Sequence, residues 1–482
     1  MMPMSSEPKT GAGLLAEVLT RTDNLDVSEE GFLEIEGHNV NELLSTFGSP
    51  LFVISEGTFR SNFRRVRRAF EIAWPATVNV MYAGKANNNI ALRAIISDEG
   101  GGGDCFGQGE IFATFAGGAE PELVALNGSN KSEEELWQAV TRGIVINIDD
   151  IDEIATLERI CRETDSSVRV NIRLKIAPPE LAEFDSDTLG VSEDQLVEAV
   201  LDEKWGFSPE MATVLTRQVL ASPNLLMLGY HVHMGRIGRD PNIQRTWARA
   251  FATVVAQIAA DTGFEPAVVD IGGGWARERD PESRTLELNP TTIEDYAAQT
   301  CEALLAAFHG AGLPIPKLWL EPGRYIAGNA GVLLATVGAV KSDLGRTWIN
   351  VDASTNNLTR IDSSKYAHHV LPASKMHEPR SVVASVVGST CTHSILASDV
   401  ELPMLTRGDI VAVLDAGMYA ETTSNQYNGV PRPATVLVSR DSRDLIKRRE
   451  TVGDVFGLHL VPDRLTHALE GARDAAAAKQ YS

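Results

Sequence analysis

Lys85 stands in the run Tyr82-Ala-Gly-Lys85-Ala-Asn87, at the end of an apolar stretch. A lysine there is ordinarily a solvated charge. Withdrawal from water instead favours the neutral, nucleophilic amine, and the apolar run predicts that form. Farther on, Val268-Val-Asp-Ile271 leads into Gly272, Gly273 and Gly274. Three residues without side chains offer bare backbone N–H groups to an anion such as phosphate, or simply make a tight turn. Glu321-Pro-Gly323-Arg324 sets a carboxylate three positions from a guanidinium, which is either a site or a structural ion pair. Asp104, Asn127, Asp149, Arg173 and His233 add further groups able to bind or to move protons.

These residues share a position: nearly every β-rich apolar run that a helical stretch follows ends in one of them. The runs are Val78–Lys85, Gly103–Gly107, Leu123–Asn127, Ile144–Asp149, Val168–Leu174, Leu225–His233, Ala267–Gly274 and Lys317–Arg324. Between them lie helix-like segments such as Ile90–Glu99, Ser132–Thr141, Ile151–Glu163, Gln244–Ala260 and Ile293–His309. Near-continuous apolar strands alternating with amphipathic helices predict a parallel sheet covered on its outer face. Eight such units predict a closed (β/α)8 barrel, with an open doubly wound sheet as the alternative. In a barrel the C-terminal strand ends converge on one face, where active sites sit. One polar strand end is a cap or a turn; eight in register are a site.

After Ala330 helical periodicity stops. Short β-runs at Gly331–Val340, Trp348–Val351, Ser381–Val387, Asp409–Leu414 and Ala434–Val438, separated by Gly, Pro and Asp, predict a second, all-β domain. The expected division is 1–49 as an N-terminal segment contributing to the β-domain, 50–330 as the barrel, 331–460 as the β-domain and 461–482 as a tail. Phe32–Ile35 is expected to add a strand to the second domain, and the Ala-rich stretch 472–482 to be frayed or disordered.

The 482 residues carry a formal net charge of −22, with 43% hydrophobic and 22% charged residues. This is ordinary globular composition, and its acidity repels phosphate backbones and anionic lipid. Neither nucleic acid nor membrane is expected as a partner. No apolar run approaches a bilayer span, and Glu7 and Pro8 interrupt what a secretory signal would need, so a cytoplasmic protein is expected. Cys105, Cys161, Cys301 and Cys391 show neither a disulfide framework nor metal-type spacing.

Taken together the motifs resemble the barrel-type (fold type III) pyridoxal-phosphate decarboxylases, the group of diaminopimelate and ornithine decarboxylases. The likeness runs from about Pro50 to Val438 through Tyr82–Asn87, Gly103–Glu110, Asn127–Lys131, His231-Val-His-Met-Gly235, Asp270–Gly274, Glu321–Ala330, Gly388-Ser-Thr-Cys391 and Gly417-Met-Tyr419. The stretch Ser424-Asn-Gln-Tyr-Asn-Gly-Val-Pro-Arg-Pro433 is especially like diaminopimelate decarboxylase. The resemblance implies an alanine-racemase-like barrel, pyridoxal 5'-phosphate as cofactor, and a homodimer with active sites at the subunit interface. Lys85 would carry the cofactor covalently, His233 would stack on its ring, and Glu321 would bond the ring nitrogen. Gly272–Gly274, Gly323, Arg324 and Tyr419 would hold the phosphate and substrate region. Asp104 would orient His233 or the lysine. Cys391 would supply the proton that replaces carbon dioxide, and the resemblance implies that Cys391 and Tyr419 both come from the neighbouring subunit.

The departures concern the substrate. In the resembled families an acid follows the cysteine and receives the distal ammonium, whereas Thr392 and then His393 follow here. An Arg-Pro-x-x-Tyr segment becomes Arg360-Ile-Asp-Ser-Ser364, keeping the arginine without the tyrosine. A phosphate-binding serine is replaced by Arg236. An unpaired buried ammonium costs several kcal/mol, so an amino acid with a neutral or carboxylate-bearing distal end is expected as substrate. True meso-diaminopimelate decarboxylation is the alternative. A pyridoxal-phosphate racemase would set arginine rather than Glu321 at the ring nitrogen, and a non-catalytic homologue would tend to lack the lysine or cysteine.

Overall fold

The computed structural model describes residues 9–184, 197–198, 200–235, 238–281, 286–362 and 366–468. An N-terminal segment forms a three-stranded antiparallel sheet of β1 (Leu25–Val27), β2 (Leu33–Ile35) and β3 (His38–Asn39), followed by β4 (Leu51–Ser55). Eight parallel strands come next: β5 (Val78–Ala83), β6 (Gly102–Phe106), β7 (Val124–Asn127), β8 (Val145–Ile148), β9 (Val168–Arg173), β10 (Leu225–His231), β11 (Val268–Asp270) and β12 (Lys317–Leu320). They pair in sequence order and close, β12 on β5, into a barrel. All eight expected runs are strands of that barrel, and the open sheet is excluded.

The strands alternate, apart from an irregularity in β10 between Met227 and Gly229. Outward residues such as Tyr82, Cys105, Leu126, Ile146, Ile172, Tyr230, Val269 and Leu320 pack with the surrounding helices. Inward, Met81, Ala125, Val145, Val268 and Trp319 form a small apolar plug. Two residues farther along each of several strands, the inward positions become polar: Asn127, Asn147, Asp270 and Glu321, all buried. Runs that read as uniformly apolar therefore carry a second, polar layer at one end of the barrel.

Helices follow the strands, as with Glu133–Arg142, which Ser132 opens in a capping box with Glu135 and left-handed Gly143 closes. After β12 there is only the single turn Arg324–Ala327. The 18-residue helix Glu56–Ala73, buried through Phe59, Phe63 and Phe70, packs against that turn and against the helix Ile293–Gly310, filling the eighth helical place.

The rest is sheet: β13 (Gly331–Asp343), β14 (Arg346–Val351), β15 (Val370–Leu371), β16 (Val382–Val387), β17 (Ile395–Leu402), β18 (Ile410–Val413), β19 (Ala434–Ser439) and β20 (Ser442–Lys447). Two expectations need correcting. The division at residue 50 groups β4 with the barrel, yet β4 pairs with β13 on one side and β19 on the other, inside the nine-stranded sheet. Its five residues are all buried, as a strand flanked by partners requires. The strand expected at Phe32–Ile35 forms as β2 but stays in its own small sheet. Leu33 and Ile35 cover one face of the large sheet by apolar packing with Val53, Val332 and Val436. The stretch 472–482 lies outside the described residues.

One buried ion cluster ties the N-terminal segment, the barrel and the β-domain together. Arg279, in the loop after β11, bonds Asp23 Oδ2 at 2.8 Å, Asp415 Oδ2 at 2.6 Å and the Val18 carbonyl at 2.7 Å. Burial alone would raise the Asp23 carboxyl, but Arg279 outweighs it and holds that carboxyl below its usual range. A depressed folded pKa contributes stability above the unfolded value and loses it as pH falls. Arg279→Met leaves two buried carboxylates uncompensated and is expected to cost about 3–5 kcal/mol in urea unfolding at neutral pH. That penalty should shrink in acid as Asp23 protonates.

Candidate active site

Lys85 occupies the 3-10 turn Gly84–Ala86 directly after β5, with its side chain 35% exposed. Its Nζ lies 2.8 Å from Asp104 Oδ2, contributed by the neighbouring strand β6, and 4.8 Å from the centre of the Phe106 ring. Asp104 Oδ1 accepts from Asn127 Nδ2 at 2.8 Å, and the same amide donates to Glu321 Oε1 at 2.8 Å. Behind it, Asn147 Nδ2 donates to Asn127 Oδ1 and Asn171 Nδ2 to Asn147 Oδ1, both at 2.9 Å. A ladder of amides thus crosses β9, β8 and β7 and ends on two carboxylates. Of the two partners expected for Asp104, the lysine is the one it bonds.

These contacts reverse the charge expected on Lys85. Burial pushes the amine toward neutrality, but Asp104 and then Glu321 outweigh it and hold the ammonium above its ordinary range. The apolar run could not show that β6 and β12 bring carboxylates to its end. Burial and the nearby Glu321 raise Asp104, and burial raises Glu321. A raised carboxyl 2.8 Å from an ammonium can take its proton when the amine must act as nucleophile. His231, whose Nε2 is 3.2 Å from Glu321 Oε2, and His233 are both pushed well below their usual range, chiefly by burial. Both imidazoles are neutral at neutral pH.

The group opens into a cavity of about 590 Å3, lined by Lys85, His233, Gly274, Glu321, Gly323 and Arg324 among others. Gly272 has φ +65°, and a Cβ there would press on His233 Nδ1 at 2.8 Å. A Cβ on Gly273 would run into the Glu321 carbonyl. Gly272 and Gly273 are therefore required by the close approach of His233 and the Glu321 carbonyl. The N–H of Gly272 is committed to Asp270 Oδ1 at 2.9 Å, so an anion would be left to Gly273 and Gly274.

Tyr419 lines the same cavity, within the same chain as Lys85. Its N–H donates to the Ala86 carbonyl at 2.7 Å, and Asn87 Nδ2 donates to the Gly417 carbonyl at 3.1 Å, so the loop after β18 is fastened to the lysine turn. This corrects the expectation that Tyr419 reaches the site from a neighbouring subunit. Arg360 also lines the cavity, its guanidinium 3.9 Å from the centre of the Tyr419 ring. The tyrosine missing from Arg360–Ser364 comes two residues later. Tyr366 Oη accepts from Arg360 Nη1 at 2.9 Å, and the displaced spacing hid it.

Cys391, Thr392 and His393 are exposed and are not among the described residues lining this cavity. Cys391 Sγ lies 3.1 Å from Tyr427 Oη, and its N–H donates to Asn428 Oδ1 at 3.2 Å. The Tyr427 hydroxyl lowers the thiol's pKa. Arg236 lies outside the described residues. Sequence reasoning passed over Lys175 and Trp205 on the cavity wall and buried Asp270 beside Glu321. Only the parity of the inward positions could have flagged Asp270.

Residues 56–328 match the family model described as "Pyridoxal-dependent decarboxylase, pyridoxal binding domain". The chain belongs to that family. It is 32% identical to a diaminopimelate decarboxylase of Archaeoglobus fulgidus, over 91% of this chain and 99% of the relative. A second, from Methanothermobacter thermautotrophicus, is 31% identical over 92% of this chain and 99% of its own. The crystal structure of diaminopimelate decarboxylase from M. jannaschii superposes with a TM-score of 0.84 at 26% identity, covering 92% of this chain and 99% of the other. The chain is thus a pyridoxal-phosphate-dependent carboxy-lyase resembling diaminopimelate decarboxylase.

The residues fit such a cofactor: an amine for its aldehyde, two glycines and Arg324 for its phosphate, and buried Glu321 for its ring nitrogen. Lys85→Ala should abolish turnover and leave no cofactor fixed to the chain after borohydride reduction. A mutant still fixed by borohydride would assign the attachment to another lysine.

Proposed function

We propose that this decarboxylase acts on an amino acid whose distal end is neutral or carries carboxylate. The charge of the cavity carries the reading. Lys85, Arg173, Lys175, Arg324 and Arg360 line it, against only Glu203 and Glu321 among the described acids. Cation and carboxylate attract strongly where water is scarce, and a second ammonium would meet repulsion. On the Cys391 loop, Thr392 Oγ1 lies 3.3 Å from Thr355 Oγ1 and 3.2 Å from Thr390 Oγ1, a cluster of hydroxyls with no carboxylate in it. The relatives' name, diaminopimelate decarboxylase, favours the other reading, in which meso-diaminopimelate itself is the substrate.

Pyridoxal phosphate supplies an electron sink for the carbon that loses carbon dioxide. Around it Lys85 would give the covalent anchor, and Asp104 Oδ2, 2.8 Å from Nζ, would take and return the lysine's proton. Neutral His233 would lie against the ring, and Glu321 would keep the ring nitrogen protonated. Gly273, Gly274, Gly323, Arg324 and Tyr419 would hold the phosphate end, and Arg360 and Arg324 would face the substrate carboxylates.

The working form is a homodimer in which a partner chain delivers Cys391 as proton donor, with Thr392 and His393 toward the distal end of the substrate. Cys391 is exposed on one chain, away from that chain's cavity. Beside its Tyr427–Gly429 turn runs a segment that places Phe456 against Gly429 and leaves Leu458 94% and Leu460 92% exposed. Apolar surface of this kind is what a second copy would cover. An exposed thiol with three buried unpaired ones suits the cytoplasm.

Mixing inactive Lys85→Ala and Cys391→Ala chains should restore part of the activity through one intact hybrid site. Hybrids that form but stay inactive would place both residues in one subunit. In steady-state kinetics, ornithine, lysine and meso-diaminopimelate should have kcat/KM at least about 10-fold below a matched substrate ending in carboxylate. Thr392→Glu should narrow that gap. Efficient turnover of meso-diaminopimelate by the unaltered enzyme would overturn this substrate reading.

A further inference from the structure

Asp270 ends β11 on the inward face and is fully buried, next to cavity-lining Glu321. Its Oδ1 accepts from the Gly272 N–H at 2.9 Å. Its Oδ2 is buried with no acceptable donor in reach. One polar atom each of Asp270, Glu321 and His231 lies within 4.8 Å of the others. Glu321 already accepts from Asn127 Nδ2 on Oε1 and faces His231 Nε2 with Oε2.

Two ionised carboxylates within this distance and out of water repel strongly unless a cation stands between them or a proton is shared. The charged groups facing the pair are Lys85, Arg173 and Asp104. Lys85 is spent on Asp104 at 2.8 Å, and Arg173 lies 3.8 Å from Asp149 with its guanidinium 5.2 Å from the Trp205 ring. Asp104 is itself a carboxylate and adds to the repulsion. Neutral His231 brings no charge. Among the described side chains, no cation is left to stand between the two, and a shared proton meets the need.

We propose that Asp270 is a positioning residue that stays protonated and donates its Oδ2–H to Glu321, leaving one negative charge, on Glu321, to face the cofactor ring. Two observations agree. Burial and then the neighbouring Glu321 push Asp270 well above its usual range, and Asp270 in turn stabilises ionised Glu321. Gly272, which leads into the two glycines left for an anion, hangs from Asp270 Oδ1, so one carboxyl sets both Glu321 and the glycine turn beside it. The inference rests on the reading of Glu321 given above.

Asparagine distinguishes a protonated from an ionised Asp270. Its carbonyl still accepts from Gly272 and its amide still donates to Glu321, so Asp270→Asn should keep kcat within about 3-fold, with an unchanged cofactor spectrum and pH profile. Asp270→Ala, matched for thermal stability, should lose about 10- to 100-fold in kcat and shift the pH dependence of the cofactor's visible band. Infrared difference spectra of the holoenzyme, wild type against Asp270→Asn, should show loss of a protonated-carboxyl band at neutral pH. No such band, or an asparagine variant as impaired as the alanine one, would show that Asp270 is ionised and overturn the proposal. Glu321→Gln separates the two readings: an unaltered cofactor spectrum would remove Glu321 from the ring nitrogen, while the infrared band still locates the proton.

Discussion

Three carboxyls, Asp104, Asp270 and Glu321, are buried at one end of a closed barrel around a single lysine, and much of the surrounding structure exists to make that tolerable. An isolated buried carboxylate is prohibitively costly, so each must find a proton, a cation or several donors. Asp104 has Lys85 and Asn127, Glu321 has Asn127 and His231, and Asp270 has the Gly272 N–H. The amides behind Asn127 keep its carbonyl occupied, so that both its N–H bonds point at carboxylates. A closed ring of strands suits this task because every inward position has neighbours on both sides.

The barrel alone does not complete the site. Tyr419 must leave the β-domain and reach the lysine turn, and it does so in the left-handed region at φ +49°. A tyrosine held there stores roughly 1–3 kcal/mol of strain and persists because the surroundings over-determine it. The bonds from Tyr419 to Ala86 and from Asn87 to Gly417 provide that constraint, while Arg279 fixes Asp415 four residues upstream. The buried guanidinium and the catalytic pocket are thus connected through a few residues of loop.

The gathering of Lys85, Gly274, Glu321 and Arg324 around one cavity was legible because its signals are local. Tyr82–Asn87, Asp270–Gly274 and Glu321–Arg324 each keep chemistry and strand end within six residues. The eight β-runs showed the barrel for the same reason. What stayed hidden depends on neighbours distant in sequence. Leu51–Ser55 has the same apolar text as a barrel strand, and only pairing with β13 and β19 assigns it to the other sheet. The charge on Lys85 follows from Asp104 and Glu321, nineteen and 236 residues away by numbering. Tyr366 was missed because its contact with Arg360 survives a two-residue shift that a motif does not. Asp270 read as the approach to a glycine turn, since a strand two-thirds apolar does not announce which face its one acid takes.

The division of labour between the two halves bears on how such a site changes its substrate. The lysine, its carboxyls and the amide ladder belong to the barrel, where each group is fixed by at least one other and a single change leaves a buried charge unpaired. Thr392 and His393 belong to an exposed loop of the β-domain, where replacing an acid by a hydroxyl strands nothing within the chain. With that loop facing the distal end of the substrate, as proposed, selectivity there would drift at little cost to folding, while the decarboxylation chemistry would not. A chain that keeps the barrel groups and departs at the loop is the outcome these unequal costs favour.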